Sequence, residues 1–151
     1  MKTKFLLALL AVSFVGTAAA QVKPEDAIKF RQSGYAFMAW NMGRIKANVE
    51  GQYNKEEVIK AANAIQAIAN SGMGALYLPG TDKGKGWEET KVKPELFTNK
   101  EGVGKVAGAF VKEANEMAKV AATGDVAAVK EQVGKLGGTC KGCHDDFKIK
   151  K

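Results

Sequence analysis

The sequence predicts an all-α protein folded as an antiparallel four-helix bundle. Three observations carry that expectation. Apolar residues recur at helical spacing in four separate segments, no stretch alternates apolar and polar residues as a half-buried strand would, and short turns join the first segment to the second and the third to the fourth.

The chain opens with "MKTKFLLALLAVSFVGTAAAQ", which has two lysines, an apolar run from about Phe5 to Val15 and small residues Ala18-Ala19-Ala20 before Gln21. This is the three-part plan of a secretory signal peptide, residues 1–20, and the apolar run is too short to span a bilayer. A retained anchor is the competing use of such a run. Cleavage after Ala20 leaves residues 21–151 as one domain without a membrane span, placed in the periplasm. The net charge of +7 drops by two when Lys2 and Lys4 leave.

The first helix is expected to start at Pro24, with Glu25 and Asp26 in its first turn, and to stop at about Gly51. A second opens at Asn54, with Glu57 three residues on as a variant of the capping box; Val58, Ile59, Ala62, Ile65, Ile68 and Ala69 form its apolar face before "SGMG" loosens it. The third runs from near Asn99 to Gly124 through Val103, Val106, Phe110, Val111, Ala114 and Met117. Asp125 caps the fourth, which carries Val126, Val129, Val133 and Leu136. Between the second and third lies "PGTDKGKGWEETKVKPELFTN", residues 79–99, too long for a simple turn and of the length that often wraps a ligand.

The fourth segment ends in "GGTCKGCHDDFKIKK", which holds both cysteines and the only histidine of the chain. About one random arrangement in ten thousand of this composition would give the spacing C-x-x-C-H, the signature of covalent c-type haem attachment. A disulfide, a redox dithiol and half a zinc site are the other uses of the pair. Structural zinc normally takes four protein ligands where three stand here, and a thioredoxin-like pair belongs in a βαβ context that the pattern lacks. On a helix, positions i, i+3 and i+4 share a face. Cys140 and Cys143 would then hold the porphyrin edge through thioethers while His144 reaches the iron as axial ligand. With one histidine, bis-histidine ligation is excluded.

Taken together, the signal peptide, the helix opening "KPEDAIKFRQSGYAFM", the loop "KPELF" and the terminal "GGTCKGCHDDFK" resemble cytochrome c′ over nearly all of residues 21–151. The resemblance implies an up-down-up-down bundle and a single haem c attached through Cys140 and Cys143, with His144 as proximal ligand. It further implies that Arg31 and Gln32 contact the haem propionates, that Thr90 lies where the loop approaches the haem edge, and that Lys148 stands beside the proximal imidazole. A surface charge or hydroxyl without special contacts is the plainer reading of each of these four.

The opposite face of the haem decides the function. A low-spin electron carrier would supply a sixth ligand, commonly methionine. Arg31, Tyr35, Met38 and Met42 follow one another at helical spacing and share a stripe. The resemblance aligns Tyr35 with the bulky residue that covers an open sixth position, which implies a pentacoordinate, high-spin haem protein of the electron-transport group able to bind NO and CO. The alternative is a six-coordinate Met/His electron-transfer cytochrome with Met38 as sixth ligand. An enzyme is not expected, because no second histidine remains for acid–base work and only Tyr35 or Arg31 could assist.

Partners follow from the surface. Phe30, Tyr35, Phe37, Met38, Trp40, Met42, Ile45 and Val49 put apolar groups around most of the first helix, more than one core face uses, which predicts a homodimer through that helix. Lys141, Lys148, Lys150 and Lys151 gather near the haem motif, either as solvated surface or as a steering patch for an acidic redox partner. Nucleic-acid binding has no support, since no arginine-rich stripe is present.

Overall fold

The structure, a computed structural model, describes residues 22–150. The expected signal peptide, residues 1–20, lies outside the described residues, as does Lys151. Among the described residues five helices follow one another: α1 (Pro24–Glu50), α2 (Lys55–Ala69), a short α3 (Glu95–Thr98), α4 (Lys100–Thr123) and α5 (Val126–Phe147), with a 3-10 turn at Met73–Leu76. The four long ones form the antiparallel up-down-up-down bundle. Close packing joins α1 to α2, α2 to α4 and α4 to α5, whereas α1 and α5 meet only loosely.

Helix ends fall where the local chemistry puts them. Pro24 occupies the first turn of α1 with Glu25 and Asp26 beside it, where a fixed φ and negative charge are both favourable. Asn54 caps α2 by accepting from the Glu57 N–H at 3.1 Å. The reciprocal half of the capping box is absent. Asn48 takes the Asn54 N–H at 2.8 Å, and the Glu57 carboxylate instead binds Arg44 of α1, which pulls its pKa down. At the α4–α5 turn Gly124 has φ +80°, and a Cβ there would come within 2.8 Å of Lys55 Cδ. Asp125 then opens α5 by accepting from Ala127 N at 2.9 Å and Ala128 N at 3.1 Å.

The core is one cluster built around Ile45, Val58, Ile65, Met117, Val129 and Leu136, with Ala61, Ala62, Ala114 and Ala121 filling the places where helices approach most closely. Each fully buried large side chain contributes about 1.5–3 kcal/mol. Polar bridges add register: Gln66 and Asn70 both donate to Asn115 Oδ1 at 3.0 Å across α2–α4, and Gln132 donates to the Glu113 carboxylate at 2.7 Å across α4–α5.

Because α2 ends beside the start of α1 and α4 must rise from the same level, residues 70–99 stay at one end of the bundle. The end of α5 arrives there too. Val92 and Lys148 form an antiparallel bridge, Lys93 N–H donates to Phe147 O at 3.0 Å and Ile149 N–H to Lys91 O at 2.8 Å. The topology therefore gathers the first turns of α1, the long loop and the last turns of α5 into one region.

Replacing Asp125 with Ala removes the acceptor of two orphan helix N–H groups, and we expect it to lower stability by about 1 kcal/mol. Urea unfolding should show an earlier midpoint at unchanged slope.

Candidate functional site

The site grows from the last two turns of α5. Cys140, Cys143 and His144 lie on one helix face; both cysteines are free thiols, half-buried, and His144 is exposed. Burial pushes both thiols above the ordinary cysteine value. A nucleophilic redox pair needs the opposite shift. Among the described residues no group of three or more His, Cys, Asp or Glu side chains converges as a structural metal cage requires. Three sulfur and nitrogen donors lined along one edge, uncrossed by a fourth, suit a planar prosthetic group held at its rim.

The end of α5 is anchored. Lys93 Nζ donates to the carbonyls of Asp145 and Asp146 at 3.0 Å, satisfying orphan acceptors where the helix end is negative. Lys148 is the residue just past the helix, in extended backbone, so it does not continue the α-helical i, i+4 stripe. It still lines a recess with His144, Lys91, Asp145, Ile149 and Lys150. Partial burial first, and the Lys148 charge second, hold the His144 pKa below its usual value.

Across the loose α1–α5 seam stands Tyr35. Its ring is 43% exposed, while Met38 one turn on is only 6% exposed and belongs to the core cluster. Burial of its hydroxyl raises the Tyr35 pKa, the hydrogen bond from Tyr77 opposes this, and Cys143 and Cys140 are close enough to add to the rise. Tyr35 stands two turns before Met42, whose methyl packs against Gly137, so its ring lies on the α5 side of α1. The other methionines of α1, the turn and α4 are occupied in packing: Met42 against Gly137, Met73 against Gly34, and Met117 wholly buried.

Arg31 and Gln32 do something the sequence did not reveal. The Arg31 guanidinium is 2% exposed and holds the loop: Nη1 donates to Thr81 Oγ1 at 2.7 Å and Leu76 O at 3.3 Å, and Nη2 to the Thr81 carbonyl and to Thr90 Oγ1 at 2.9 Å. Four of its five N–H donors are spent there, so a propionate is left with one. The Gln32 amide accepts from Trp87 N–H at 2.8 Å and donates to Glu88 O at 2.9 Å. Thr90 does reach this end of the bundle, but through Arg31. Two further residues had no signal in the sequence: Thr81, a buried threonine in a polar loop, and Tyr77, whose hydroxyl donates to Tyr35 Oη at 2.9 Å.

A four-helix bundle whose last helix presents Cys140, Cys143 and His144 along the rim of an opened seam defines a c-type haem protein of the bundle class. Known proteins agree. The family described as cytochrome c′ matches residues 26–148. The cytochrome c′ of Rhodocyclus tenuis is 64% identical over 129 residues, 85% of this chain and 97% of the relative. A solved cytochrome c′ described as having a ligand-controlled dimer dissociation superposes with TM-score 0.84 at 58% identity, covering 87% of this chain and 100% of that one. A ferrous variant of the Alcaligenes xylosoxidans cytochrome c′ with bound NO superposes with TM-score 0.76 at 30% identity, covering 86% and 98%. The chain belongs to the cytochrome c′ family and carries a c-type haem.

Replacing Arg31 with Lys keeps the charge but loses the planar fork, leaving loop acceptors unmatched. We expect a loss of about 2–4 kcal/mol and new tryptic cleavage at Lys83 and Lys85, inside the loop that Arg31 holds. Thermal melting and limited proteolysis read the two effects.

Proposed function

We propose that the mature protein, residues 21–151, works in the periplasm after loss of a signal peptide, residues 1–20, as a non-enzymatic haem protein of the electron-transport group that binds NO and CO at an open iron face. Cys140 and Cys143 would hold the haem edge through thioethers and His144 would ligate its iron. The haem, when bound, would supply redox and ligand-binding chemistry, and Tyr35 would cover the face away from His144. The observation that carries this reading is the contrast on α1: Tyr35 lies on the α5 side, 43% exposed and hydrogen-bonded to Tyr77, while Met38 is folded into the core. A Met/His cytochrome would require Met38 to leave the Ile65 and Met117 cluster, opening a cavity that costs about 2–5 kcal/mol.

A ring over the iron can be displaced by a diatomic without first breaking an iron–sulfur bond, and the steric barrier depends on size more than on charge. The relative with bound NO supports the same capacity here. Arg31 and Gln32 act chiefly by fixing the loop, and any propionate contact uses what they retain; Lys148 lies close enough to His144 to tune it electrostatically. A redox partner meets the exposed edge near Lys141, Lys148 and Lys150.

The protein pairs through α1. Of the apolar groups on that helix, Met38 and Ile45 enter the core, Met42 and Val49 pack against it and Tyr35 faces the site, leaving Phe30, Phe37 and Trp40 about half exposed on one stripe. Phe37 and Trp40 are stacked at 5.4 Å, and Arg44 lies 4.8 Å over Trp40. Such a pre-ordered patch loses little entropy on association, and the dimer named for a close relative fits it.

Absorption spectra of the reduced protein test the haem reading. We expect a high-spin wild type, a Met38→Leu variant that stays high-spin, and a Tyr35→Ala variant that binds CO faster; a low-spin wild type turned high-spin by Met38→Leu alone would overturn it. Sedimentation at micromolar concentration should give a dimer, and Trp40→Glu a monomer. A monomeric wild type refutes the α1 interface.

A further inference from the structure

The hydroxyl of Tyr77 is the only polar partner recorded for Tyr35 among the described residues, and the two rings differ in how firmly they are held. Tyr77 is clamped on three sides. The Arg31 guanidinium lies 4.7 Å from its ring centroid, Phe97 meets it edge-on at 6.4 Å, and its backbone N–H donates to Gly74 O at 3.1 Å. Arg31 in turn is bound to Leu76, Thr81 and Thr90, so the guanidinium cannot swing away from the ring. Tyr35, 43% exposed on the open seam, has no comparable enclosure. One hydrogen bond sets its direction.

We propose that Tyr77 is a positioning residue that latches Tyr35 over the haem face, so that the barrier to gas entry is set jointly by the α1 ring and by the loop that carries its partner. This rests on the reading of Tyr35 as the cover of an open site. To admit a diatomic, Tyr35 must rotate off the iron, and rotation breaks the Tyr77 Oη–Tyr35 Oη bond before any new contact forms. Steric cover and latch therefore act in series on one motion. Burial raises both phenol pKa values, so both hydroxyls stay protonated and the bond persists across the physiological range. Arg31 then has two linked tasks: it closes the loop and it aims Tyr77.

The test uses the haem-loaded protein and Tyr77→Phe, which keeps the ring that Arg31 and Phe97 hold and deletes only the hydroxyl. Stopped-flow mixing of ferrous protein with CO should show association about three- to tenfold faster, the size expected from one net hydrogen bond. Adding Tyr77→Phe to Tyr35→Phe should change nothing further. Melting of the unliganded ferric protein gives a readout independent of gas: the two single variants should each lower the midpoint, and the double variant should fall no further than either. If Tyr35→Ala speeds CO binding and Tyr77→Phe does not, the latch is refuted and the cover stands. If neither variant changes the rate, the cover itself is refuted and the latch with it. Equal acceleration by Tyr77→Phe in the Tyr35→Phe background, or additive melting losses, would place the effect in the loop and overturn the latch.

Discussion

One buried cation organises the working end of this molecule. Burying the Arg31 guanidinium away from water is costly unless its donors are matched, and burial lowers its pKa accordingly. The matching acceptors come from three points of the long loop: Leu76, Thr81 and Thr90. A loop rich in Gly, Pro and Lys has little apolar surface with which to pack, so the charge at its centre substitutes for a core. Gln32 repeats the device one residue on. Its amide pairs with the backbone at Trp87 and Glu88, and the approach is so close that a Cβ at Gly86 would stand 2.7 Å from the Lys29 nitrogen. From this clasp hang the position of Tyr77, whose hydroxyl meets that of Tyr35, and the run into Lys93 that closes α5.

The bundle itself is asymmetric for a related reason. Three of its four seams are closed by alanines and branched aliphatics at native density, which no planar cofactor could enter. The α1–α5 seam is different. On the α5 side Gly137 leaves room for the Met42 methyl, and a groove lined by Met42, Val49, Val133 and Gly134 together with Lys46, Glu50 and Lys130 runs along it. The bundle thus leaves one of its four seams less tightly packed than the other three.

How much of this could be read beforehand depends on the range of the interaction. Helix ends were legible because capping is local: Asn54, Asn99, Asp125 and Gly124 act on N–H and C=O groups within four residues. The haem motif was legible because i, i+3 and i+4 on one helix need no tertiary knowledge. Glu57 misled, since a carboxylate near its own helix start chose a guanidinium on α1 over the expected backbone donor. Arg31, Gln32 and Tyr77 were partly or wholly hidden for the same reason. Their partners lie more than forty residues away in a loop with no period to read.

The first helix shows why composition overstated its ambiguity. Its apolar and aromatic residues cover most of the circumference and seemed to offer several sides to one core. At about 100° per residue, however, they sort into three directions. Ala27, Met38 and Ile45 point at α2 and the core; Tyr35 lies on the side toward α5; Phe30, Phe37 and Trp40 lie on the far side, with Arg44 stacked above Trp40. One unbroken helix of 27 residues keeps these directions in a fixed order along its length. Tyr35 and the exposed Phe37–Trp40 patch are therefore parts of one continuous helix, and a torque applied at Tyr35 is not absorbed by an intervening loop before it reaches Phe37 and Trp40.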